Sequence, residues 1–105
     1  MKPGDVVWCA PEITDDDDEK GPRRGVVLEL REHVRVAYCQ GEEPRVDFRT
    51  CVPNDSPTGR RLGLSKPSWF CGRNVALFPR QDLAPIPGAF CRDELFRLLL
   101  SLDGQ

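Results

Sequence analysis

The sequence predicts a mostly-β domain: a small, strongly bent sheet or open barrel of five or six short strands, with one C-terminal α-helix packed over an end or face. Three observations carry this. Short runs rich in β-branched and aromatic residues recur along the chain, each closed by proline, glycine or a polar turn. Within one of them Val34, Val36 and Tyr38 alternate with Arg35 and Ala37, the period of a strand with one apolar face. After Cys91 the period changes, and Leu95, Leu98, Leu99 and Leu102 recur at helical spacing behind Asp93 and Glu94, acids that suit a helix N-terminus.

The first strand is Val6-Val7-Trp8-Cys9-Ala10, opened by Gly4-Asp5 and closed by Pro11. From Pro11 to Pro22 periodicity is lost, and the spacing predicts a long mobile loop carrying the acidic block Asp15-Asp16-Asp17-Asp18-Glu19. Gly25 to Leu30 and Val34 to Cys39, joined by Arg31-Glu32-His33, predict an antiparallel hairpin with His33 in its turn. Arg45 to Val52 is a weaker strand ended by Pro53, and Asn54 to Gly59 reads as a turn-rich loop leading into Arg60-Arg61. Ser68 to Cys71 and Asn74 to Phe78 predict two further strands about the reversal at Gly72-Arg73, and Pro79 stops the second.

A chain of 105 residues supports one domain and one modest core. Its 30% charged and 39% apolar residues fit a globular chain. No apolar run is long enough to cross a bilayer, and the start has no targeting pattern, so a soluble cytoplasmic protein is expected. The formal charge of −2 becomes +3 without the five acidic charges of Asp15 to Glu19, so the rest of the chain is mildly basic. Cys9, Cys39, Cys51, Cys71 and Cys91 are widely separated and His33 is the single histidine, so no metal or other cofactor is expected. These cysteines read as small hydrophobes in or beside the core.

Four segments, in order, resemble the PemK/MazF toxin family. Met1-Lys2-Pro3-Gly4-Asp5-Val6-Val7-Trp8 resembles the family's opening, and Arg23-Arg24-Gly25-Val26-Val27-Leu28 its second strand, with Gly25 where proline is usual. Gly63-Leu64-Ser65-Lys66-Pro67-Ser68-Trp69-Phe70 is similar to its Gly-Leu-x-Lys-Pro-Ser/Thr stretch. Arg73 to Pro79, with Leu83 beyond, looks like the strand and connection before its closing helix. The resemblance implies an SH3-like open barrel of the PemK/MazF/CcdB type, spanning residues 1–105 and acting as a homodimer. It implies a metal-independent endoribonuclease of a type II toxin–antitoxin system, with single-stranded RNA in a groove that the tail of a cognate antitoxin protein can occupy.

Under that resemblance Arg24 takes the catalytic arginine's place and Arg23 is a neighbouring phosphate contact. An arginine can stabilise the charged phosphorane-like transition state as the ribose 2′-oxygen attacks its own phosphate. The family's Thr-Ser pair is missing: the threonine position holds Gln40 or Cys39, and neither offers a hydroxyl. Trp69 can supply a stacking surface for a base, with Arg60, Arg61, Lys66 and Arg73 contacting phosphates, while Phe70 faces the core. Trp8 reads as core or dimer interface. The missing hydroxyl sustains an alternative, a catalytically degenerate barrel that binds protein or nucleic acid. The acidic block near Arg23 and Arg24 in sequence is expected to act as a gate at a basic groove or to mimic the substrate's charge there.

Overall fold

The computed structural model describes residues 1–11 and 22–103, so the acidic block predicted to gate the groove lies outside the described residues. The strands are β1 (Asp5–Cys9), β2 (Arg23–Leu30), β3 (His33–Tyr38), β4 (Arg49–Val52), β5 (Ser68–Cys71), β6 (Val75–Pro79) and β7 (Ala84–Phe90). The helices are α1 (Pro57–Leu62) and α2 (Asp93–Asp103), and 3-10 turns span Gly72–Asn74 and Arg80–Asp82. An antiparallel sheet in the order β6-β3-β2-β1-β7 faces a two-stranded ribbon of β4 and β5. No helix among the described residues is long and apolar enough to cross a membrane.

Both faces of the large sheet are buried, which explains why β2 carries the unbroken run Val26-Val27-Leu28 instead of strict alternation. Val6, Val26, Leu28 and Ala37 point to one side, into a core completed by Val52, Leu62, Phe70, Leu95, Leu99 and Leu102. Val7, Cys9, Val27, Val34 and Val36 point to the other, where Phe78 and Leu83 cover them. Helix α2 thus meets the expectation from its leucine spacing, burying Leu95, Leu99 and Leu102.

The connection from β6 to β7 forces this sheet to coil. The two strands stand at opposite edges, so in a flat sheet they would lie about 19 Å apart, four strand spacings. Yet Pro79 and Ala84 are joined only through residues 80–83, most of them in a 3-10 turn, a path of about 13 Å at its rise of about 2 Å per residue. The short link fits only if the edges curl toward one another. Among the described strands β6 and β7 do not pair, so the sheet is open, not a closed barrel.

Two elements differ from the sequence reading. The stretch Asn54 to Gly59 was expected as loop, but residues 57–62 form α1: the Ser56 hydroxyl accepts from the Gly59 amide at 3.0 Å, Pro57 starts the helix and Gly63 ends it in the left-handed region. Residues 84–90 are strand despite Pro85 and Pro87, because β7 is an edge strand with one ladder to fill, toward β1. Smaller shifts occur elsewhere. His33 opens β3 and pairs with Pro79 instead of sitting in the turn. The weak strand from Arg45 shortens to β4, since Arg49 donates to the Val46 carbonyl at 2.7 Å and to Glu43 at 2.9 Å, folding residues 43–48 back as a loop.

Candidate functional site

Adjacent ends of β1, β2 and β3 and the segment after α1 enclose a cleft of about 220 Å³. Its walls carry Trp8, Arg23, Arg24, Cys39, Gln40, Lys66 and the serines 65 and 68. Antiparallel pairing builds the first wall: Trp8 stands opposite Arg24 in the β1–β2 ladder, and the Arg24 guanidinium lies over the indole, 4.6 Å from its centroid. The same guanidinium reaches the α1 terminus, where a Cβ built on Gly63 would stand 3.8 Å from Arg24 Nε. A Cβ at that distance would make an ordinary contact, so the glycine is required by its left-handed cap conformation, φ 73°, and not by the arginine. Lys66 crosses the opposite wall, its Nζ within 2.6 Å of where a Gly41 Cβ would be.

Gly25 is set by packing. A Cβ there would come within 2.5 Å of a Val36 methyl and 3.4 Å of Cys9 Sγ. The bare backbone therefore lets β2 lie close on its neighbours beside Arg24.

Gln40 is held on three sides. Its amide and carbonyl pair with Trp69 at 2.9 and 2.7 Å, tying β5 to the end of β3. Its side-chain Oε1 accepts from Asn74 Nδ2 at 2.7 Å, and its Nε2 donates to the Glu42 carbonyl at 2.7 Å. These partners orient the amide: the oxygen is spent on a buried asparagine, and only an N–H remains for a ligand. Asn74 carried no functional signal in the sequence, where it read only as the first residue of the strand that follows the Gly72-Arg73 reversal.

Cys39 is 7% exposed at the cleft floor, and its Sγ contacts the Arg24 carbonyl at 3.4 Å. Burial raises its pKa above the usual thiol value, while the Ser68 hydroxyl and the positive charge of Arg24 pull it back. Cys9, behind the same strand, is pushed up to about 12 by burial and by Cys39, against the pull of Arg23. Both are neutral thiols at physiological pH. Cys39 thus offers a buried S–H instead of a nucleophile or an anion. Native protein treated with a small alkylating reagent near pH 8 is expected to label rapidly at exposed Cys51 only, and at all five cysteines in denaturant. Rapid native labelling of Cys39, read by peptide mass, would contradict this.

The cleft gathers Arg23, Arg24, Cys39, Gln40 and Lys66 of the residues singled out in the sequence, and adds Trp8. Trp8 is 36% exposed, so of the two expectations for it, core or dimer interface, the core one is corrected. Trp69, Arg60, Arg61 and Arg73 do not line it. Trp69 is half-buried and works through its backbone on Gln40, and Arg73 lines a shallower pocket with Val46 and Phe48. Among the described residues no acidic side chain lines the cleft and no carboxylate pairs with Arg23, Arg24 or Lys66; Arg23 donates to the Cys39 carbonyl at 3.5 Å and Arg24 stacks on Trp8. Three cations gathered in this way make a local positive potential that an anion can relieve. The chain matches no model of a known protein family, and no curated protein matches it.

Proposed function

We propose that this chain is a PemK/MazF-like protein with an SH3-like open barrel that binds single-stranded RNA in the Trp8–Arg24–Lys66 cleft and cuts it without a metal, as the toxin of a type II toxin–antitoxin pair. The observation that carries the reading is the convergence of Arg23, Arg24 and Lys66 on one cleft that no acid lines among the described residues, beside a half-exposed indole. A phosphate satisfies the cations and an unpaired base stacks on the Arg24–Trp8 plane. The coiled sheet, with its short 3-10 link from β6 to β7 at opposite edges, supports the barrel. A homodimer in the cytoplasm, with the antitoxin tail competing for the cleft, belongs to the same reading.

In the cleavage step the 2′-oxygen bonds to phosphorus as the bond to the 5′-oxygen breaks, leaving a 2′,3′-cyclic phosphate and a free 5′-hydroxyl. The Arg24 guanidinium, assisted by Arg23 and Lys66, holds the charge that builds on the phosphorane oxygens. Gln40 donates its remaining N–H to the phosphate. None of the cleft's side chains is a free base at neutral pH, so the 2′-hydroxyl proton passes to water and water supplies the proton to the leaving oxygen. Without a positioned acid and base, worth about 10²–10⁴ in rate, the enzyme is slow.

A second reading, a binding module without nuclease activity, is favoured by one observation: the Gln40 amide is tied to Asn74 and Glu42 where a hydroxyl would be free. Incubation with a long unstructured RNA in EDTA separates the two. Fragments ending in 2′,3′-cyclic phosphate are expected for the toxin. RNA retained intact but bound identifies the module, and RNA neither cut nor bound removes both.

A further inference from the structure

A second arginine–aromatic stack stands beside the cleft. Arg61, in the last turn of α1, lies over the ring of Phe90 at the end of β7, 4.4 Å from its centroid. Phe90 is 45% exposed, so the stack is not a core contact. Nor is it remote from the proposed RNA site. From Arg61 the chain passes through Gly63, against which Arg24 rests, and then through Leu64, Ser65 and Lys66, which line the cleft. Along the other side, β1 joins the two stacks: Phe90 pairs with Asp5 and Trp8 pairs with Arg24. Asp5 and Trp8 are three strand steps apart, with Val6 and Val7 between them, an interval of about 10 Å that an extended oligonucleotide crosses within a few nucleotides.

We infer that Arg61 and Phe90 form a second base-stacking subsite, so that single-stranded RNA runs from the Trp8–Arg24 stack past the end of α1 to the Phe90–Arg61 stack. The inference rests on the proposed RNA cleft and extends it. Each stack offers a flat guanidinium backed by an aromatic ring, a surface that any base can cover while the charge meets the backbone. Arg60, exposed next to Arg61, adds a cation to the path. Asp5, paired with Phe90 in the ladder, turns its carboxylate to the Lys2 amide at 3.0 Å, and among the described residues no ion pair joins Arg61 to an acid.

The test is the length dependence of binding, measured by fluorescence anisotropy with labelled 2′-O-methyl oligonucleotides, which resist cleavage, from about 4 to about 16 nucleotides. Wild-type affinity is expected to rise as the oligonucleotide reaches the second stack. Phe90→Ala should lower affinity for the longer oligonucleotides about five- to a hundredfold and leave the shortest unchanged. Phe90→Tyr, which keeps the ring, should preserve the length dependence. Wild-type affinity of Phe90→Ala for long oligonucleotides, or an equal loss at every length, overturns the subsite. Arg24→Ala is the control for the cleft itself. If it weakens every length while Phe90→Ala changes nothing, the subsite fails and the cleft stands; if it changes nothing while Phe90→Ala flattens the series, the cleft fails and the subsite stands. No binding by the wild type at any length overturns both.

Discussion

Arg24→Ala is expected to reduce RNA cleavage by about 10²–10³, the loss seen when one preorganised donor to a developing oxyanion is removed. Arg24 reaches across the cleft, lying over Trp8 and extending toward Gly63 at the end of α1. Its charge therefore sits at the centre of the site, held by a stack worth about 0.5–1 kcal/mol rather than by a carboxylate. Because no acid neutralises it among the described residues, removal also subtracts one phosphate contact, and the salt slope of binding should fall by about 0.7. Arg24→Lys keeps the charge but loses the planar fork and the stack, so an intermediate rate is expected. Gel-resolved cleavage at several salt concentrations, with thermal unfolding as a check on the fold, measures both effects. Undiminished cleavage by Arg24→Ala would falsify its catalytic assignment.

Phe70→Ala is expected to cost about 3–5 kcal/mol, against a total stability of about 5–15 kcal/mol for a domain of this kind. Phe70 is 1% exposed and is the largest fully buried side chain. It carries the β4–β5 ribbon into the core shared by Val26 and Leu28 of β2 and Leu99 of α2. A cavity there separates the two sheets at their main apolar contact. The midpoint of thermal unfolding should fall by at least about 12 °C, at about 4–8 °C per kcal/mol. Phe70→Leu, which fills most of the space, should lose much less. The neighbouring Trp69 pairs with Gln40 through its backbone, so loosening the ribbon should also weaken RNA binding before the protein unfolds. Urea titration with an unchanged slope and a midpoint like that of the wild type would show that Phe70 does not carry this contact.

The two predictions differ in how far local sequence anticipates them. Phe70 was assigned to the core by alternation alone, since Trp69 and Phe70 cannot share a face. Arg24 was singled out by resemblance, and its position over Trp8 became visible only with the β1–β2 register. Trp8, read as core or dimer interface, is not core: cross-strand pairing with an arginine holds it at the rim. The α1 helix was legible in Ser56, Pro57 and Gly63, whose cap geometry fits a short helix, yet the density of turn residues outweighed it. β7 was hidden by Pro85 and Pro87, because tolerance of proline depends on edge position, and edge position is a property of the assembled sheet.

By itself the sequence determined the elements whose signals are local: the β2–β3 hairpin, the strand at Ser68 to Cys71, and the amphipathic face of α2, each read from a period that one segment carries alone. Its resemblance-bearing segments also named Arg23, Arg24 and Lys66, and the departure at the family's Thr-Ser pair named Gln40. Tertiary structure decided which of these meet. It coiled the sheet through a short β6–β7 link, excluded Arg60, Arg61, Trp69 and Arg73 from the cleft, and locked Gln40 onto Asn74 from 34 residues away. Such pairings depend on strand register and on contacts distant in sequence, for which a periodic pattern holds no information.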